Sequence, residues 1–171
     1  MTGTIRVFLA VLVLACASPA AAQLRDYSSV KMKTVDSGLG FTLAVPEPWV
    51  VGAATGNNKF QAGSGEDDFA VIVTDFGPVA QDAAAANAVY RDSYERSGFV
   101  LKSSSEATVA GVAVTRYVFA IDAEAGEGHL EIVMLPVGGE MYSVMVATPA
   151  KEIASRRDAI EKIFASLAMK R

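Results

Sequence analysis

Val112 to Ala147 reads VAVTRYVFAIDAEAGEGHLEIVMLPVGGEMYSVMVA. Its first part alternates: Val114, Arg116, Val118 and Ala120 fall on one side of an extended chain, and Thr115, Tyr117, Phe119 and Ile121 on the other. That period of two, in β-branched and aromatic residues, predicts a strand over 112–121. Asp122 to Gly128 (DAEAGEG) reads as an acidic turn, and His129 to Val137 as a second strand. Gly138-Gly139 supplies the positive φ of a two-residue hairpin turn into a third strand, 140–147. The stretch therefore predicts a three-stranded antiparallel meander.

Working upstream, Ala110-Gly111 suits a tight turn, and Val100 to Val109, with Ser103-Ser104-Ser105, reads as an edge strand or a loop. From Val79 to Ser97 the period changes. Val79, Ala83, Ala86, Tyr90 and Tyr94 recur at three- and four-residue steps and form one face of a helix. Asp82 near its start and Arg91 and Arg96 near its end complement the helix dipole, and Gly98 fits the left-handed cap. Phe69 to Phe76 is the most strand-like run, ended by Gly77-Pro78. Short strands are expected over 59–62, 41–45 and 30–35, with Pro46 and Pro48 stopping the second. Downstream, Thr148 as N-cap and Pro149 in the first helical position predict a final helix. Ile153, Ile160, Ile163, Phe164 and Leu167 are its apolar face, and Arg156, Arg157, Lys162 and Lys170 its polar remainder. Two amphipathic helices each need a surface. An α+β fold, an antiparallel sheet flanked by helices on both faces, buries both stripes.

The order of elements carries a resemblance. Phe41-Thr42-Leu43-Ala44-Val45-Pro46-Glu47-Pro48-Trp49 resembles the F-x-L-x-x-P-x-x-W opening of the PsbP-like superfamily, which includes oxygen-evolving extrinsic proteins and bacterial exported proteins of the DcrB type. Ile160 to Leu167 resembles that family's closing helix, with Leu167 where Phe is usual. The likeness spans Leu39 to Leu167. It implies an α/β/α sandwich and a non-enzymatic binding or assembly role. It carries no catalytic residue across, and the metal-binding residues of the photosynthetic members have no match here.

Residues 1–22 read as an address. Arg6 precedes the apolar run VFLAVLVLACA of Val7 to Ala17, Ser18-Pro19 break it, and Ala20-Ala21-Ala22 supply small residues for cleavage before Gln23. A second reading takes Val13-Leu14-Ala15-Cys16 as a lipobox with a lipid anchor at Cys16. The expected organisation is a signal peptide over 1–22, a lead-in over 23–38 and a single domain over 39–168, exported to the periplasm and with no transmembrane helix in the mature chain.

Composition narrows the chemistry. With 51% hydrophobic and 20% charged residues the chain is a folding sequence rather than a disordered tail. A net charge of −4 argues against nucleic acid as partner. One Cys and one His leave little for a zinc site or thiol–imidazole catalysis. His129 and Glu131 share a strand face, and a small-ligand or metal-binding periplasmic protein using His129 and the adjacent acidic turn is the alternative reading; His129, Glu131, Asp67 and Asp68 are the candidate metal ligands, although a site needs further ligands. No nucleophile elbow or phosphate loop occurs, and a hydrolase with convergent carboxylates is the remaining enzymatic alternative. Trp49 reads as a core anchor whose N–H finds a backbone acceptor, or else as an exposed binding aromatic. No catalytic residue and no cofactor is assigned. The expected function is binding or assembly with a protein partner in the cell envelope. The expected surface is a sheet edge or loop end near Trp49, Glu66, Asp67 and Asp68.

Overall fold

The computed structural model describes residues 27, 29–65, 68–79, 83–123 and 126–170. The expectations for 1–22, Glu66, Asp67 and Asp82 lie outside them. Among the described residues ten strands and two helices follow in the order β1 (Met32–Asp36), β2 (Phe41–Pro46), β3 (Val50–Gly52), β4 (Asn58–Gly63), β5 (Ala70–Pro78), α1 (Ala83–Arg96), β6 (Val100–Val109), β7 (Val112–Ala123), β8 (Gly126–Val137), β9 (Glu140–Pro149), α2 (Ile153–Ala165) and β10 (Ala168–Met169). The result is a sheet-rich α+β fold with two sheets rather than one. Seven strands run β3-β4-β5-β9-β8-β7-β6, and three run β1-β2-β10. β2 leaves the main sheet because Pro46-Glu47-Pro48 breaks the chain before β3, where the Trp49 N–H donates to the Pro46 carbonyl at 2.9 Å.

The meander is as expected: β7 pairs with β8 and β8 with β9, all antiparallel. Gly138 and Gly139 have φ of +61° and +91°, the geometry of a primed turn. The acidic turn is shorter than expected, because Asp122 pairs with Glu127 and Ala123 with Gly126, so most of it is strand.

Alternation along the central strands separates two cores. Val133 and Leu135 of β8 join a cluster with Val144 and Val146 of β9, Phe41, Leu43 and Val45 of β2, and Ile160, Ile163 and Phe164 of α2. Leu130, Ile132 and Met134 of β8 join the other, with Met141 and Met145 of β9 and Tyr90 and Tyr94 of α1. Strands buried on both faces read as near-continuous apolar runs, as Leu130 to Leu135 do except at Glu131.

Two helix starts differ from expectation. Thr148 and Pro149 do not open a helix. They extend β9, opposite His129 and Gly128, and a 3-10 turn at Ala150–Glu152 leads into α2. Pro149 is tolerated as the last residue of the strand, where little ladder remains to be broken. The Thr148 hydroxyl accepts from Arg156 Nη1 at 2.9 Å instead of capping. Val79 is likewise not helical, since its N–H donates to the Gly139 carbonyl at 2.9 Å and prolongs the β5–β9 pairing.

Candidate functional site

Glu131 is the one charged residue within the apolar run of β8, and it is 1% exposed. A buried carboxylate is costly unless every lone pair is used. Here they are. Oε1 meets His129 Nε2 at 2.7 Å and accepts from Arg157 Nη1 of α2 at 2.6 Å. Oε2 accepts from Arg116 Nε of β7 at 2.8 Å and from Arg116 Nη2. Arg116 continues to Glu161 of α2 with two bonds of 2.8 Å, and its guanidinium lies 4.6 Å from the Phe164 ring centroid. The group thus fastens α2 to the sheet. Burial pushes the Glu131 carboxyl up, but the His129 hydrogen bond and the two arginines outweigh it and hold the pKa at about 2. Hydrogen bonding to Arg116, against some desolvation, also lowers Glu161.

Chemically this arrangement is a closed ionic lock. Glu131 and Glu161 converge on Arg116, and both are held ionised at neutral pH. A pair working as general acid and base needs the acid's pKa raised. A metal ion at His129 and Glu131 would have to displace an arginine. Among the described residues no three His, Cys, Asp or Glu side chains converge as metal ligands.

The structure brings His129 and Glu131 together and puts Asp68 elsewhere. Asp68 belongs to a second group around Arg156, whose Nη2 donates to Asp68 Oδ2 at 2.7 Å and whose Nη1 donates to the Asp68 carbonyl at 2.7 Å. Arg156 was expected on the polar side of the final helix, but it is 4% exposed, inserted between sheet and helix with its charge met by Asp68. Trp49 is 1% exposed, packed edge-on to Phe69 at 4.7 Å between centroids, so its side chain is not the exposed binding aromatic considered above. Nor does it find the expected acceptor: Trp49 Nε1 and Arg156 Nε are buried with no hydrogen-bond partner among the described residues.

Arg116, Arg157 and Glu161 were missed as members of the Glu131 group. The available clue was Arg116 itself, a charge in the row Val114, Val118, Ala120. Exposed large apolar side chains include Val89 of α1 and valines at both edges of the larger sheet. β3 presents Val50 and Val51, 65% and 49% exposed, directly after Trp49. The opposite edge, β6, carries a bulge between Leu101 and Ser103, and Lys102 there sits 3.7 Å from Glu127. No helix among the described residues is long and apolar enough to cross a membrane.

Three solved structures are similar across most of their length. Cyanobacterial PsbP (CyanoP) from Synechocystis sp. PCC 6803 aligns over 90% of this chain and 98% of its own, with a TM-score of 0.62 at 10% identity. The Ran-binding protein Mog1p of Saccharomyces cerevisiae aligns over 82% and 96%, at 0.57 and 14%. LpqN of Mycobacterium tuberculosis, involved in cell envelope biogenesis, aligns over 84% and 92%, at 0.54 and 14%. No family model and no curated protein sequence matches the chain. At these identities the likeness is one of architecture, and the chain has the PsbP-like fold that these structures share.

Proposed function

We propose that this chain is an exported, non-catalytic protein of the cell envelope that binds or helps to assemble a protein partner. The observation that carries the reading is the β3 edge, where two consecutive valines are exposed on a strand whose second side is unpaired among the described residues. Such an edge is a template for an added strand, and natural edges are usually blunted by charge or a bulge. β6 has both of these guards; β3 has neither of the two, although it is kept short, at three residues. The engagement of both Glu131 oxygens, one of them by His129 Nε2, supports a role without chemistry at that site. Two neighbours of the same fold point the same way, one a Ran-binding protein and one involved in cell envelope biogenesis. On this reading α2 and α1 cover opposite faces of the seven-stranded sheet, which the alternation along β8 supports.

Export rests on residues 1–22, with Gln23 as the first residue of the mature protein. The test is the N-terminal mass of the chain from native envelopes, with formaldehyde-linked partners recovered alongside. A start at Gln23 with a linked protein that is lost from Val50→Asp/Val51→Asp chains is expected. A full-length intracellular chain, or capture indifferent to these substitutions, contradicts the reading. A lipidated start at Cys16 would keep the envelope role and replace the soluble form by a tethered one.

A further inference from the structure

Tyr27 is 5% exposed although it precedes the first strand. Its ring stands edge-on to Phe69 at 4.9 Å, and the Arg156 guanidinium lies 5.7 Å from its centroid and 5.0 Å from that of Phe69. Its N–H donates to the Ser155 carbonyl at 3.2 Å. Further along, the Lys31 carbonyl accepts from the Glu47 N–H at 2.8 Å, just past the end of β2.

The seat under Tyr27 is built without Tyr27. Arg156 is held by Asp68 and Thr148, and Trp49 by its own ring contact to Phe69 and its backbone bond to Pro46. Two buried donors there, Arg156 Nε and Trp49 Nε1, have no acceptor among the described residues. Orphaned buried donors are rare, and each costs free energy that an arriving acceptor would recover. Guanidinium and ring faces together are a seat for an aromatic side chain.

We propose that Tyr27 is a displaceable plug in a binding seat formed by Phe69, Arg156 and Trp49. The ligand of that seat is an extended segment of a partner protein carrying an aromatic side chain beside a backbone or carboxylate acceptor. The proposal rests on the reading of the chain as a protein binder, but it uses a different surface from the β3 edge. The plug competes as an intramolecular ligand, so its removal raises apparent affinity.

Trp49 is the only tryptophan and therefore reports on the seat by its fluorescence. The probe is a synthetic peptide of residues 23–31, QLRDYSSVK, added to the full chain. The Tyr27→Ala chain is expected to show a red-shifted Trp49 emission that the peptide reverses, with at least tenfold tighter binding than to the wild-type chain. The same peptide with its Tyr replaced by Ala is expected not to bind. Equal or absent binding to both chains, or binding that ignores the peptide's Tyr, overturns the proposal. Hydrogen exchange on the wild-type chain guards against a variant that fails to fold. The Tyr27 amide should exchange at least a hundredfold faster than the amides in the middle of α2. Exchange of both only through global unfolding is the contrary result. The Val50→Asp/Val51→Asp chain should bind the peptide normally, so failure of the edge reading and failure of this one are distinguishable.

Discussion

Arg157 of α2 donates to Glu131 of β8 at 2.6 Å, so the final helix is tied to the sheet through a carboxylate that is only 1% exposed. Arg116 completes the tie from β7 and reaches Glu161 on the helix. Removing the shared carboxylate leaves two guanidinium groups without their common partner. Glu131→Ala is expected to destabilise the chain by about 3 kcal/mol in urea unfolding, within the range for breaking one side of a buried ion pair. A loss below about 1 kcal/mol would mean that the arginines are satisfied by solvent and that the lock is decorative.

The same residue sets an acid limit. Its folded pKa is about 2, below the ordinary 4.5, so its contribution is fully present above about pH 4.5 and is lost as pH falls toward 2. Linkage over that interval amounts to about 3 kcal/mol. The stability gap between the wild-type and Glu131→Gln chains should therefore be constant from about pH 6 to about pH 5 and close progressively to near zero by about pH 2. Unfolding free energies measured across that range check it, and a gap that persists at the acid end would assign the lock to packing rather than charge.

Much of this architecture is legible in residues whose partners are close in sequence. The meander follows from the alternation through Phe119 and Ile132 and from Gly138-Gly139, and the helix from the spacing of Tyr90 and Tyr94, both buried. Where partners are distant, local patterns mislead. Thr148-Pro149 has the chemistry of a helix start, but pairing with His129 and Gly128 across the hairpin prevails. The separate small sheet depends on β2 finding β1 and β10 rather than β3, which no local period announces. Glu131 was visible as a charge in an apolar run, whereas its arginines come from positions 15 and 26 residues away. Arg156 was assigned to solvent by residue type, while the acceptors that make its burial tolerable, on Asp68, lie 88 residues upstream.

Burial of Trp49 separates its structural role from a surface one. Trp49→Ala is expected to cost about 3–5 kcal/mol, the range for truncating a large buried aromatic. Trp49→Phe should cost far less, because it keeps most of the ring and removes the unpartnered N–H. Chemical denaturation of the two variants decides. Near-wild-type stability for Trp49→Ala would place the indole outside the core.

Gly139 sits at φ +91° in the two-residue turn between β8 and β9. A side chain there is strained in the left-handed region, so Gly139→Ala should destabilise by about 1–2 kcal/mol without changing the pairing of the meander. Thermal unfolding gives the cost, and unchanged far-UV circular dichroism confirms the pairing. No loss of stability would mean that the turn is not of the primed type.

The central claim is that this protein works by holding another protein and not by chemistry at its buried ionisable groups. Native mass spectrometry of the chain released gently from cell envelopes tests it most directly. The account predicts a species heavier than the mature chain by the mass of a second polypeptide, diminished by Val50→Asp/Val51→Asp and retained by His129→Ala. A chain that carries only a metal ion or small molecule, lost on His129→Ala, would contradict it.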